Sequence, residues 1–161
     1  RYRVSLVTLP EAGGASPHSE LLLDLGALVE EDNRGLEGIA YDPVGDTLWL
    51  VREKSPRGLF RVRGLLGGER AVSIAHLDSQ LPSFWRMRDL SGLHHDPASN
   101  SLLLLSDESG LVVELDVHGR LVSRLQLSGD SVPQAEGVAL SSDGILVVAS
   151  EPNLLYLYRR G

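Results

Sequence analysis

The chain has 161 residues, 42% of them apolar, and no cysteine. It is long enough to bury a core of its own, and disulfides, thiolate metal sites and a cysteine nucleophile are excluded. Fifteen basic residues against twenty-two acidic ones give a net charge of −7, which argues against nucleic acid as a partner and leaves room for cations or cationic groups.

No apolar run is long enough to span a bilayer, and no charged-then-apolar leader opens the chain. The first residue is Arg1 rather than Met, so the expectation is a start inside a longer gene product, with a leader or anchor ahead of it.

In chain order, Tyr2–Leu9 and Glu20–Leu25 read as two strands that end an earlier sheet. Then a segment returns three times: Leu36-Glu37-Gly38-Ile39-Ala40, Leu90-Ser91-Gly92-Leu93-His94 and Ala135-Glu136-Gly137-Val138-Ala139. Each copy opens a strand: Gly38–Tyr41, Gly92–His95 and Gly137–Leu140. A turn follows (Asp42-Pro43-Val44-Gly45-Asp46, Asp96-Pro97-Ala98-Ser99-Asn100, Ser141-Ser142-Asp143-Gly144), then an apolar second strand at Thr47–Arg52, Ser101–Ser106 and Ile145–Ser150. Third strands are predicted at Gly58–Arg63, Leu111–Asp116 and Leu154–Arg159, and fourth strands at Ala71–Leu77 and Leu121–Leu127. The segments Ser16–Leu28 and Ser79–Met87 are ambiguous. The stretch Ser79–Trp85 reads as an excursion that lengthens the first spacing, since the motif glycines are 54 and then 45 residues apart.

That period, built from short strands, marks β-propeller blades. The second strands are apolar throughout rather than alternating, which means burial on both faces, as in sheets stacked around a ring. The fold expectation is therefore all-β: propeller blades of four antiparallel strands, with roughly half of a ring of about six blades in this chain. Residues 1–28 end a preceding blade, 33–78 and 88–128 are blades, and 133–161 is an incomplete blade. A half-ring leaves blade faces bare, so N-terminal blades outside the chain are expected; two self-associating half-rings are the alternative.

The same pattern gathers acids. The first strand of a blade pairs with the second, so Glu37 is expected beside Glu53 and Glu136 beside Glu151. In the middle blade Ser91 stands in the glutamate position, with Asp89 two residues earlier and Asp107 after the second strand. Any one of these acids alone reads as a solvated turn residue or an arginine partner. Recurrence at one position of three blades points to a shared rim, where clustered carboxylates need a cation or proton. Oxygen-only donors suit Ca²⁺, less well Mg²⁺, though no EF-hand loop is present. Arg88 and Gln134 are expected to line the same channel, with Asn33, Asn153, Arg34 and Arg52 nearby. His94 and His95, adjacent on a strand, point to opposite faces; His94 is placed in the channel, and a structural role is the plainer reading of both. Trp49 reads as core, and Phe84 and Trp85 as a pocket wall or an end cover. The chain has no Gly-x-Ser-x-Gly elbow, P-loop or Gly-x-Gly-x-x-Gly fingerprint.

Leu36-Glu37-Gly38-Ile39-Ala40-Tyr41-Asp42, Asp89-Leu90-Ser91-Gly92-Leu93, Leu104-Leu105-Ser106-Asp107-Glu108-Ser109, Pro133-Gln134-Ala135-Glu136-Gly137-Val138-Ala139 and Ser150-Glu151-Pro152-Asn153 resemble the SdiA-regulated family of bacterial β-propellers, over about Asn33 to Tyr158. The resemblance implies a propeller with a central metal, usually taken to be calcium, a place in the cell envelope or periplasm, a membrane anchor N-terminal to this chain, and no settled activity. The ring of acids, with no nucleophile or base of strong signal, reads as a non-enzymatic module that binds a small molecule or a protein. Glu-Gly-Ile-Ala is also shared with esterase-like phytases and gluconolactonase-like propellers. The alternative is thus a metal-dependent hydrolase of phosphate esters or lactones, with His94, His95, Asp89 or Glu136 as base.

Overall fold

A computed structural model describes residues 3–8, 18–24, 35–54, 57–67, 72–77, 87–127 and 132–159. Asn33, Arg34, Phe84, Trp85 and the excursion at Ser79–Trp85 lie outside the described residues. The described residues form thirteen strands and turns, with no helix among them. Residues 1–35 are one compact unit and 36–161 another.

In the first unit, β1 (Arg3–Thr8) and β2 (His18–Asp24) form an antiparallel hairpin, paired from Arg3↔Asp24 to Thr8↔His18.

The second unit holds three antiparallel sheets, each laid down in chain order. The first is β3 (Leu36–Asp42), β4 (Thr47–Arg52), β5 (Gly58–Arg63) and β6 (Ser73–His76). The second is β7 (Gly92–Asp96), β8 (Ser101–Ser106), β9 (Leu111–Asp116) and β10 (Leu121–Gln126). The third is β11 (Ala135–Leu140), β12 (Ile145–Ser150) and β13 (Leu154–Arg159).

The second and third strands of every sheet keep their predicted bounds, and the others differ for local reasons. β3 and β11 begin earlier than predicted, at Leu36 and Ala135. A bulge lets pairing continue past the glycine: Leu36 pairs Arg52 and Gly38 pairs Val51, with Glu37 as the extra residue. In the same way Ala135 pairs Ser150 and Gly137 pairs Ala149, with Glu136 extra. β6 and β10 stop short of Leu77 and Leu127. Those two leucines bury their side chains, and their N–H groups bond to Leu59 O at 2.9 Å and Gly110 O at 2.7 Å. Each first turn closes on a residue with positive φ: Asp46, Asn100 and Gly144. These residue types tolerate the left-handed region best.

β8 shows why a second strand is apolar on both faces. Leu102 and Leu104 pack with Trp49, Val51 and Leu59 of the first sheet. Leu103 and Leu105, pointing the other way, pack with Val148, Leu146 and Tyr156 of the third. One strand feeds two cores, so alternation disappears from its sequence.

The recurring glycine sits where the innermost strands of neighbouring sheets meet. A β-carbon on Gly38 would stand 2.7 Å from Val51 Cγ2, 2.8 Å from Leu93 Cβ and 2.9 Å from Leu93 N. One on Gly92 would stand 3.3 Å from Leu105 Cβ and 3.4 Å from Val138 Cγ1. Leu93 and Val138 are each the residue after the motif glycine of the next sheet. Each glycine is therefore the seat for that aliphatic side chain. At Gly137 the added carbon would meet only Ala149 Cβ, at 3.3 Å. Gly38→Ala is expected to cost about 1–3 kcal/mol through overpacking against backbone, and Gly92→Ala less. Gly137→Ala is expected to be neutral or slightly stabilising, since alanine loses less conformational entropy than glycine in a strand. Urea midpoints of the three variants check this ranking.

Candidate functional site

The bulges aim the motif glutamates. An extra residue in a strand falls out of the ladder and is re-aimed, and in β3 and β11 that residue is Glu37 or Glu136. In the second sheet Ser91 holds the same place beside Gly92, with its N–H bonded to Leu105 O at 2.9 Å. Ser91 is buried and its hydroxyl has no hydrogen-bond partner.

The acids around these positions take different roles. Asp89 is buried. Its Oδ1 accepts the Ser106 hydroxyl and the Glu108 N–H at 3.1 Å. The hydroxyl of Ser106 also takes the Ser109 N–H at 3.1 Å, so Asp89 and Ser106 together hold the turn between β8 and β9. Asp107 Oδ1 accepts the N–H of buried Ala135 at 2.8 Å, which ties the second sheet to the start of the third. Glu53 pairs with Lys54 at 2.9 Å, and the same ammonium reaches Glu108 of the second sheet at 2.7 Å. The two carboxylates raise the Lys54 pKa further above its ordinary value, Glu108 most strongly. The N–H of Arg88 bonds to Ser109 Oγ at 2.8 Å. Gln134 has positive φ, and its carbonyl accepts the Glu151 N–H at 3.0 Å.

Glu136 registers the crowding. Its carboxyl is pushed above the ordinary value by burial first, then by the charges of Asp107, Glu151, Glu37 and Glu53. Four of the six expected acids thus act on a fifth, Glu136, and of these five only Glu53 has a cation partner among the described residues. The sixth, Asp89, is taken up in its turn. Among the described residues, no three His, Asp or Glu side chains come close enough to hold one metal ion.

The histidines stand apart from the acids. Strand geometry places His94 about 7 Å and His95 about 10 Å along β7 from Gly92. His94 shares the Gly92 face; burial lowers its pKa, with Asp96 opposing and His95 adding to the shift, and its Nε2 has no partner. His95 is buried, bonds Asn100 Oδ1 at 3.2 Å through Nε2, and lines a cleft of about 430 Å³ with Asp42, Trp49 and Arg63 at the far end of the strands. Trp49 is core, as expected.

Lys54, Ser106 and Glu108 are participants that sequence reasoning missed. The signal was present: an opposite charge next to Glu53, and a Ser-Asp-Glu-Ser turn following an apolar strand.

Two outcomes follow from these contacts. Asp107→Ala strands the buried Ala135 N–H and is expected to cost about 1–3 kcal/mol in urea unfolding, whereas Asp107→Asn keeps an acceptor and costs less. Because the folded Glu136 pKa is raised, its contribution to stability is full below the unfolded carboxylate pKa and is lost as pH rises through the folded one. Glu136→Gln removes that loss. The side chain is exposed, so solvent screens the repulsion, and the variant is expected to melt at most about one or two degrees above the parent at pH 7 and level with it near pH 4, as read by thermal scans across pH.

The solved structures similar to this chain include one in the crystal structure of a nidogen/laminin complex, with a TM-score of 0.60 at 14% identity, covering 86% of this chain and 51% of that one. This chain thus spans about half the length of the structure it matches. A chain of the computationally designed Ika4 protein is similar with a TM-score of 0.44 at 10% identity, covering 83% of this chain and 96% of that one. The first likeness, together with four-stranded antiparallel sheets joined through their innermost strands, makes the fold that of a β-propeller. The profile of the SdiA-regulated family matches residues 2–159, and the chain belongs to that family.

Proposed function

We propose that this chain is part of a non-enzymatic propeller whose acidic rim holds a cation, with Ca²⁺ the ion its donors favour, and that the rim serves to bind a small molecule or protein in the bacterial envelope. The observation that carries the reading is the placement of Glu37 and Glu136 as the bulge residues of β3 and β11, with Asp107, Glu151, Glu37 and Glu53 near enough for their charges to raise the Glu136 pKa. Carboxylates so arranged repel until a proton or cation joins them. The donor chemistry fits a hard cation: every acid offers oxygen, and the unpartnered Ser91 hydroxyl occupies the register position of Glu37 and Glu136. The spacing fits less fully, since no three of the described side chains close on one point. Backbone carbonyls, water or donors outside the described residues would complete the shell, as calcium readily accepts.

Differential scanning calorimetry in calcium and in chelator tests this. An ion present at about a hundred times its dissociation constant stabilises by about 2.7 kcal/mol, which for a domain of this size raises the melting temperature by roughly 5–10 °C. The shift is expected to shrink in Glu136→Gln. Equal melting temperatures in millimolar calcium and in chelator would remove calcium from the reading. Turnover of phosphomonoesters or lactones that requires calcium would replace binding by hydrolysis.

A further inference from the structure

The first sheet carries Ala40, Trp49 and Arg61 in one register row and Asp42, Thr47 and Arg63 in the last. Asp42, Thr47, Trp49 and Arg63, with His95 and Asn100 of the second sheet, line the cleft of about 430 Å³ between the two sheets. It lies at the end of the strands away from the acids. Two polar atoms among these residues are buried and unpaired: the indole Nε1 of Trp49, a residue 3% exposed, and Nδ1 of His95, 6% exposed. Asn100 Oδ1 accepts from His95 Nε2 at 3.2 Å, so the neutral ring carries its proton on Nε2 and Nδ1 is an acceptor. The indole N–H can only donate. Burying either atom without a partner is unfavourable. Packing does not demand the pair. The same register, counted from the motif glycine, puts Leu103 and Leu140 at the equivalent positions between the second and third sheets, and both sit in one apolar cluster. Leucines therefore make the same contact between sheets with no unpaired polar atom.

We propose that this cleft is a binding site for a neutral polyhydroxy compound of monosaccharide size, separate from the acidic rim. A hydroxyl both accepts and donates, so hydroxyl groups answer the Trp49 N–H and the His95 Nδ1 alike. A carboxylate would answer only the first, and an ammonium only the second. The charged groups agree with a neutral ligand. Asp42 brings a carboxylate, one oxygen of which accepts the Val44 N–H at 2.9 Å, and exposed Arg63 brings a guanidinium. Their charges balance, and they offer a further acceptor and further donors to hydroxyls. Pro97 and Val117 add apolar wall beside Trp49, which suits the C–H face of a sugar ring. The volume falls within the usual range of small-molecule sites, about 300–1,000 Å³.

Isothermal titration calorimetry on the intact product of the gene tests this, with D-glucose, D-galactose, D-mannose and D-xylose as probes and D-glucuronate as the charged counterpart. The titrations are run in chelator, so that an ion at the rim does not enter the result. At least one neutral sugar is expected to bind with a Kd of about 1 mM or tighter, and to bind at least about tenfold more weakly to His95→Leu and to Arg63→Ala, each of which removes a hydrogen-bonding partner. His95→Leu matches the residue type of Leu140 in the third sheet, so its melting temperature is expected to equal or exceed the parent's. Arg63 is exposed, so Arg63→Ala keeps the fold even where His95→Leu does not. Absence of binding by every neutral sugar at about ten times that concentration would overturn the proposal. So would binding that either variant retains in full, because the sugar would then sit elsewhere. Tighter binding of D-glucuronate than of every neutral sugar would overturn the neutral class of ligand.

Discussion

Everything in the second unit turns on how closely the innermost strands approach. Gly38 meets Leu93, and Gly92 meets Val138, at distances where a β-carbon would overlap backbone or crowd a side chain. That approach fixes three things together. It demands glycine at one motif position and a branched or bulky aliphatic at the next. It brings β3, β7 and β11 side by side, so that the second strands behind them are sandwiched between neighbouring sheets and must be apolar on each covered face. And it places the residue before each glycine at the end of the strand, where in β3 and β11 a bulge throws it out of the ladder. The clustered acids thus follow from packing geometry: in two sheets the residue displaced by the bulge is a glutamate.

Crowding those carboxylates has a cost that the chain meets only in part. Two unit charges a few ångströms apart interact by about 1 kcal/mol in water and several times that near a protein surface. Lys54 offsets Glu53 and Glu108, Asp107 gains the Ala135 N–H, and Asp89 is absorbed by its turn. All of these contacts join neighbouring sheets or stiffen the loop between strands, so they act as structural fasteners. The remainder falls on Glu136, with Glu37 and Glu151 close enough to shift it.

The strands were legible because their causes are local. Asp-Pro and Asp-Gly turns, apolar runs of six residues and a repeated Glu-Gly-aliphatic step set the bounds of β4, β5, β8, β9, β12 and β13, and the register of the sheets follows from them. The bulges were not legible, because nothing in Glu37 or Glu136 marks an extra residue; the pairing of Leu36 with Arg52 reveals it only in three dimensions. For the site, residue type was readable but occupation was not. Asp89 looks like a rim acid in sequence. Its commitment to Ser106 and Glu108 depends on the turn between β8 and β9 folding back over it, a contact seventeen to nineteen residues away. Lys54 was overlooked for the opposite reason: its partner Glu108 lies in another sheet.

One consequence of the stacking is that apolar composition and actual burial separate at the third sheet. Val147 and Ala149 are as apolar as Leu103 and Leu105, and Leu155 and Leu157 are at least as apolar as Val112 and Glu114, yet only the residues of the second sheet are fully buried. Isolated exposed leucines are ordinary on protein surfaces. Six small or aliphatic residues aligned in two register rows, Gly137, Ala149 and Leu155 in one and Ala139, Val147 and Leu157 in the next, are not. Compared row by row with sheets one and two, the third sheet is similarly apolar and less covered. That comparison between equivalent positions is more informative than the exposure of any single residue, because turn, register and strand role are held constant and only the neighbour differs.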